Sequence, residues 1–523
     1  MSVRSGIAIM GILAVSGGVV AAGMSYAGHD QGSANAQVQR NVVNSVALAC
    51  PELRSGSDTT TSVALTSVPG VDGQSDEGSF SIVGTPGAAT LGDLASAGST
   101  AAFPTGEAAM AVATALDGLA PGSFAARTSV DSKGEGRGLA NVQCTGPITE
   151  AWLLGGATQP GQRGKLVLVN PTDSDAVAEV TVVGIDGAVE TSGTDGVAVP
   201  ANDRAEVKLD AVAPGMAALA VHVTTRFGLV SPFIVDDRME DLTPRGIEII
   251  PPSGRPARRS IITGLPSGPG TRELLLLSPS ERANVQVTAI TQDGLKEVAG
   301  GQSIPVRGER LRTVDLSKQL GDSAATIVIT SDVPVLASAN MQTREEASSL
   351  ESRKQAVADA QAELDAAKKP AERRELEIKV DRAIEAARDD GSDIVWLRAG
   401  ERLTSTGVAG GVLPNGDTVV TLIAIGGDSR ASVSRLSGSE VTEVDAAVLP
   451  EGEPVEVSVS AEGKEPYSLL VSDIEGAGDV YATFVQRSGH SALTGYPLER
   501  VSPFIRLPDA QSQYGLAGST RSH

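Results

Sequence analysis

A chain of 523 residues exceeds what one hydrophobic core supports, and a prior of about 150 residues per domain makes three or four domains. Its net charge of −22 repels phosphate backbones, which argues against nucleic acid as a partner. With two Trp, five Tyr and seven Phe it has few residues for stacking on sugars or anchoring an interface, while its Gly, Ala, Val, Ser and Thr suit many thin β cores.

Gly6–Ala27 runs 22 residues without a charge, with Arg4 and the α-amine before it. Such a stretch spans a bilayer as a single anchor or is the apolar region of a signal peptide, which Ser25-Tyr26-Ala27 would suit as a cleavage site. Either reading sets 1–29 apart as a targeting segment and 30–40 as a tether. It leaves the rest outside the cytoplasm, anchored to the cell membrane or secreted after cleavage. In that oxidising setting the isolated pair Cys50 and Cys144 reads as a disulfide.

A first β domain, 41–147, holds strand patterns at Ser62–Val68 and Phe80–Gly84. Periodicity leaves Ala108–Leu119 open as helix or buried strand. Gly138–Cys144 resembles Leu336–Arg344 further on. A second domain, 148–240, has Leu166–Val169 stopped by Asn170-Pro171, the alternating Ala178–Val183 and Ala205–Leu209, and a closing stretch Ala217–Arg238. A third, 241–344, repeats that order with Leu274–Leu277, Val285–Ile290, Leu311–Leu316 and Ala324–Arg344. Pro171 to Pro279 is 108 positions and Arg238 to Arg344 is 106, so these are copies of one unit. A fourth, 393–508, has the apolar strand pattern Thr418–Ile425 and closes with Tyr467–Arg487, and 509–523 reads as a flexible tail.

Arg344 to Arg487 is 143 positions, some 37 too many. The excess is 345–392, dense in Ala, Glu, Lys and Arg. Leu350, Val357 and Leu364 recur every seven residues there, and Leu376, Val380 and Ile384 follow Pro370. That predicts an inserted α-helical hairpin with a coiled-coil seam, bent at Pro370. A short apolar segment follows each closing stretch: Ala151–Gly155, Gly246–Pro251, Ile394–Leu397 and Tyr496–Leu498. It reads as the lead-in strand of the next domain or a buckle across the boundary. Trp152 and Trp396 lie in two of these segments as boundary anchors.

The fold class expected is mainly β: tandem immunoglobulin-like or fibronectin-like sandwiches of about seven strands, with one buried face per sheet. The early Cys50, the later Cys144 before Trp152-Leu153-Leu154-Gly155-Gly156, and the Leu166–Pro171 strand together resemble a family of actinobacterial exported proteins of unknown function. That resemblance implies an N-terminal apolar segment and β repeats, and no catalytic residues.

No His-Glu-x-x-His helix, nucleophile elbow or phosphate-binding loop occurs. Lys133–Gly138 sits between strand patterns and reads as a hairpin loop. Of the four His (His29, His222, His490, His523), His222 reads as a surface or boundary residue. Asp173/Asp175 and Asp236/Asp237 lack an EF-hand spacing and read as solvated turn acids. Arg238, Arg344 and Arg487 are expected to pair with acids at domain joints. No catalytic, cofactor or metal residue is assigned. The function expected is a non-enzymatic, membrane-anchored interaction scaffold of the cell envelope, with unidentified envelope proteins as partners and self-association through the hairpin. Binding of wall polysaccharide is the alternative, and an envelope enzyme with an unrecognised site comes third.

Overall fold

The computed structural model describes residues 40–52, 59–85, 89–106, 108, 110–131, 137–240, 243–344, 347–388, 392–461, 463–488 and 492–506. The N-terminal apolar segment, most of the tether, the C-terminal tail, His29, His490, His523 and the loop residues 132–136 lie outside these described residues. No helix among the described residues is long and apolar enough to cross a membrane. The chain divides into two compact units, one of 1–42 with 504–523 and one of 43–503. In the first, β1 (Arg40–Val42) pairs antiparallel with the C-terminal strand Phe504–Arg506.

In the second unit one strand order occurs four times, in four modules of two sheets each. The first module comprises β2 (Ser45–Pro51), β3 (Thr59–Ser67), β4 (Gly78–Thr85), β5 (Ala89–Leu94), β6 (Thr100–Pro104), β7 (Met110–Asp117), β8 (Ser123–Asp131) and β9 (Gly138–Gln143). Its sheets run β2-β7-β4-β5 and β6-β3-β8-β9. The second comprises β10 (Glu150–Leu154), β11 (Lys165–Asn170), β12 (Ala176–Gly184), β13 (Gly187–Ala188), β14 (Asp195–Val199), β15 (Asp203–Lys208), β16 (Ala220–Phe227), β17 (Ser231–Glu240) and β18 (Thr243–Ile250). Its sheets run β10-β16-β12-β13, with β14 also on β12, and β15-β11-β17-β18.

The third module comprises β19 (Ala257–Leu265), β20 (Gly270–Leu277), β21 (Ala283–Thr291), β22 (Gly294–Glu297), β23 (Ile304–Val306), β24 (Leu311–Asp315), β25 (Ala325–Thr343) and β26 (Ile394–Arg398). Here one long strand replaces two: the first half of β25 pairs with β19 and β21, its second half with β20 and β26. The fourth comprises β27 (Gly407–Val412), β28 (Asp417–Ile425), β29 (Ser429–Ser437), β30 (Glu440–Leu449), β31 (Val455–Val459), β32 (Tyr467–Gly476), β33 (Asp479–Ser488) and β34 (Ala492–Pro497). Its sheets run β30-β29-β32-β27, with β35 (Glu499–Arg500) beyond β27, and β31-β28-β33-β34.

This pairing changes several sequence expectations. Ala108–Leu119 contains a strand, β7. The closing stretches Ala217–Arg238 and Tyr467–Arg487 each hold two strands, β16/β17 and β32/β33, that lie in opposite sheets, so the chain between them passes from one sheet to the other. Gly138–Cys144 matches the wrong strand of the copy: β8 holds the closing position and β9 is an added eighth strand. Gly246–Pro251, Ile394–Leu397 and Tyr496–Leu498 belong to β18, β26 and β34, the last core strands of the modules they end and the counterparts of the eighth strand β9, while Ala151–Gly155 alone begins a module. The boundaries drawn at 240/241 and 392/393 therefore fall inside the second and third modules. The hairpin 345–392 interrupts the third module between its last two strands.

The expectation of one buried face per sheet also fails, for a reason visible along the second strand of each module. In β20 all four of Leu274–Leu277 are fully buried. Leu274 and Leu276 face the module's own core, whereas Leu275 and Leu277 pack into the second module's core. Likewise Leu166 and Leu168 face inward in β11 while Val167 and Val169 meet Phe233, Ile247 and the first module's Ala49 and Val142. In β28 Val420, Leu422 and Ala424 face inward, and Ile423 and Ile425 meet Ile261 and Ile290 of the third module. Strands covered on both faces lose polar alternation and become continuous apolar runs. The joints close on themselves, because Val408 and Ala409 of the fourth module share a core with Phe124 and Ala126 of the first. The eighth strands line the middle of this cycle: β9 packs on β18 and β34, and β26 packs on the same two.

Cys50 and Cys144 are bonded, 94 positions apart, and both sulfurs sit in the first module's core. Closing a loop of that length contributes roughly 4–5 kcal/mol on chain-entropy grounds. Replacing both by Ser is expected to lower the urea midpoint of the full chain, and reductant is expected to do the same to the parent but not to the variant. Where the eighth strands meet, space is the constraint. A Cβ on Gly246 would lie 2.5 Å from the Asp393 Oδ1 and 2.6 Å from the Ile394 nitrogen, whereas one on Gly254 meets nothing within 4 Å. Gly246→Ala is therefore expected to destabilise by about 1–3 kcal/mol and Gly254→Ala by less than about 0.5 kcal/mol in chemical denaturation.

Candidate functional site

The helical hairpin is inserted next to a buried hydrogen-bonded hub between the modules. In or beside the four eighth strands, equivalent positions are occupied by Gly138, Gly246, Asp393 and Ala492. The one acidic residue of the four is fully buried, and its carboxylate accepts a backbone N–H from every module. Oδ2 accepts from Leu139 at 3.3 Å and Leu493 at 2.8 Å; Oδ1 accepts from Ile247 at 3.3 Å and from Ile394, its own neighbour, at 2.9 Å. Glycine at the first two positions leaves room for that carboxylate. Burial pushes the Asp393 carboxyl up to about 7, against the pull of the Leu493, Ile394 and Leu139 N–H groups and the Arg137 guanidinium. Arg137 is itself buried and donates to the Ser392 carbonyl at 3.2 Å.

One residue further along, Glu248 lies buried among the same strands. It accepts from the Ile249 N–H at 3.0 Å and from the Thr494 hydroxyl at 3.1 Å, and that hydroxyl accepts the Asn141 N–H at 2.9 Å. Burial raises its pKa well above the ordinary range, and the nearby Asp393 and Asp236 add to the rise. Both carboxyls are sealed from solvent, so they serve as acceptors inside the structure and meet no substrate from outside.

Asp236 and Asp237 are not the solvated turn acids expected. Both are buried in β17, because Arg238 and Arg163 compensate their charge inside the fold. Asp236 Oδ2 accepts from Arg238 Nε at 3.0 Å and from Trp396 Nε1 at 2.8 Å, and Arg238 Nη1 donates to the Gln342 Oε1 of the third module at 3.1 Å. Arg238 thus pairs with an acid at a joint, and its guanidinium lies 5.8 Å from the centre of the Trp396 ring. The other two arginines differ. Arg487 donates to the Ser267 carbonyl at 2.5 Å, and Arg344 is exposed while its backbone N–H bonds the Pro269 carbonyl. Trp152 is half-buried and stacks on His222 at 4.1 Å, and His222 Nε2 lies 3.0 Å from Glu150 Oε1. Asp173 and Asp175 are exposed and bond Asn202 and the Ala201 N–H, as turn acids do. The described residues hold no group of three or more His, Cys, Asp or Glu placed for a metal.

The hairpin consists of α1 (Ala347–Ala366) and α2 (Pro370–Arg388), with Pro370 opening the second helix. Ala360 and Val380 are buried between them, and Val357, Leu364, Leu376 and Ile384 are half-buried, so the shared apolar stripe is narrow. Arg373 reaches back to the carbonyls of Leu364 and Ala367 at the end of α1, and Lys379 pairs with Glu363 across the two helices. The residues that flank the hairpin in the chain are tied to each other at the hub: the Thr343 N–H donates to the Asp393 carbonyl at 2.9 Å and the Asp393 N–H to the Thr343 hydroxyl at 2.8 Å. Nothing in the composition pointed to that root. The signal that could have exposed it is the recurrence of Gly-Leu, Gly-Ile, Asp-Ile and Ala-Leu at the equivalent positions of the four eighth strands.

The raised Asp393 pKa has a definite sign. In the folded state the group holds its proton up to about pH 7, and in the unfolded chain only to the ordinary Asp value. Its contribution to stability is therefore complete below about pH 4 and is lost as pH rises through 7, by roughly 4 kcal/mol at most. Asp393→Asn removes that titration but also one acceptor oxygen. The variant is expected to melt below the parent at pH 5, with a smaller deficit at pH 8, in calorimetry at constant ionic strength. A deficit that widens with pH would contradict this account.

No curated protein matches the chain. Among solved structures, the one titled "Crystal Structure of Thermotoga maritima 1070" aligns at 17% identity over 17% of this chain and 82% of its own, with a TM-score of 0.14. Residues 99–380, more than half of the chain, match the family of unknown function DUF5719, and the chain belongs to that family.

Proposed function

We propose that this protein is a non-enzymatic, extracytoplasmic interaction scaffold of the cell envelope, held to the membrane by its N-terminal apolar segment, whose helical hairpin is the arm that meets a partner. The observation that carries this reading is the hairpin's root. A helix pair with a narrow seam gains little stability by itself, yet the residues that flank it in the chain, Thr343 and Asp393, bond each other, and Asp393 is the residue that joins all four modules. A surface decoration needs no such mounting, whereas an arm that transmits a contact to a rigid body does. The buried Cys50–Cys144 disulfide suits an oxidising compartment. In the same reading the two-sheet modules are immunoglobulin-like sandwiches arranged in tandem, and the hairpin contacts either an envelope protein or a second copy of the chain.

Wall-polysaccharide binding is less well supported. Trp396 is buried, and one face of Trp152 is covered by His222, so neither Trp offers a free platform. An envelope enzyme is less well supported again, because the carboxyls with the most strongly raised pKa values, Asp393 and Glu248, are sealed.

Deleting residues 345–389 and bridging 344 to 390 with a Gly-Ser linker is expected to leave cooperative unfolding intact. It is also expected to abolish the crosslinked species that the parent forms in its own membranes. Unfolding of the deletion variant would make the hairpin part of the core, and an unchanged crosslinking pattern would remove its role as an arm.

A further inference from the structure

A cavity of about 480 Å³ lies where the third module meets the turn between β12 and β13 of the second. Four arginines line it: Arg282, Arg307, Arg310 and Arg312. Strand pairing gathers them. Ala283 and Val306 are partners across β21 and β23, which sets Arg282 and Arg307 side by side just beyond the paired ends. The chain then turns through Gly308 and Glu309, where Glu309 takes φ of 55°, and its N–H bonds the Ser278 carbonyl at 2.8 Å. That turn returns the chain into β24, with Arg310 and Arg312 two residues apart, the spacing that places side chains on one side of a strand. The acids next in sequence, Asp186, Glu281 and Glu309, do not line the cavity. Among the described residues none of the four guanidiniums has a carboxylate partner. Three are exposed and Arg310 is half-buried.

Four like charges around one hollow repel each other, and on a chain of net charge −22 acids are abundant elsewhere. A carboxylate is satisfied by a single bidentate arginine. Several forked guanidiniums around a space of this size match an anion with more oxygens and more than one charge, as a phosphate or diphosphate group has. Ile185, 62% exposed at the lip, supplies an apolar wall beside the charged floor. We propose that this cavity is a binding site for a phosphate-bearing ligand, with the phosphate held by Arg307, Arg310 and Arg312. The same chemistry is offered by a soluble phosphate ester and by a phospholipid headgroup.

The test uses the purified full chain, with pyrophosphate in calorimetry and phosphatidylglycerol-containing vesicles in co-sedimentation, at low and at high salt. Arg307→Glu with Arg312→Glu, both exposed, is expected to weaken binding about tenfold or more while melting like the parent. Arg307→Gln with Arg312→Gln gives a milder second variant, and Arg255→Glu with Arg259→Glu alters a separate arginine-lined cavity as the control. Pyrophosphate binding lost in the first variant and kept in the control supports a soluble ligand. Vesicle binding alone with that pattern supports a headgroup. No binding of either probe at low salt, or equal loss in the control, overturns the proposal.

Discussion

One carboxylate holds four modules in register. The Asp393 side chain takes a backbone N–H from each of the eighth strands that line the middle of the cycle. An unpaired buried N–H costs about 1–3 kcal/mol, so removing this acceptor would strand groups in every module at once. The arrangement also explains why Asp occurs at only one of the four equivalent positions. Two oxygens with four lone-pair sites saturate the four donors, and a second side chain would collide with the first. Glycine at 138 and 246 and alanine at 492 follow from that space.

Burying such a group is unfavourable, and the raised pKa values of Asp393 and Glu248 express that penalty. The fold offsets it by geometry and not by a close ion pair: donors fixed on strands need no reorganisation to meet the carboxylate. Buried guanidiniums are used in the same way. Arg127 donates to the Cys50 and Ala108 carbonyls and the Thr105 hydroxyl, and Arg272 to the Pro266, Gly268 and Gly321 carbonyls. Burial lowers the pKa of both, Arg127 to about 10. Polar groups with long reach tie loops of irregular backbone to the sheets, which cores of Ala and Val alone would leave loose.

The hairpin shares the hub with the modules through Thr343 and Asp393. The chain therefore leaves and rejoins the third module for the hairpin at residues bonded within the hub. The joint between the second and third modules adds a second brace, since Trp396 in the strand after the hairpin bonds Asp236 of the neighbouring module. The hairpin's own stability is local, resting on a narrow seam and on Arg373 at the end of α1. Its position is set by the modules beneath it.

The sequence by itself determined the β character, the strands at Leu166–Val169, Leu274–Leu277 and Thr418–Ile425, and the helices on either side of Pro370. These follow from local periodicity and from Pro as a helix opener. It also carried, unread, the burial of both faces in β11, β20 and β28, because runs such as Leu274–Leu277 have no polar alternation. The tertiary structure alone decided which sheet each strand joins, so the eighth strands moved from the start of one module to the end of another. It alone revealed that Asp236 and Asp237 are buried, since an acid in a strand and an acid in a turn look alike until a partner such as Arg238 is brought beside it. The four arginines of the cavity, from 282 to 312, gather only once β21, β23 and β24 are folded together. Asp393 shows the limit most plainly: its four donors span residues 139 to 493, and the recurring dipeptides that hold them show equivalent positions but not that the four meet at one carboxylate.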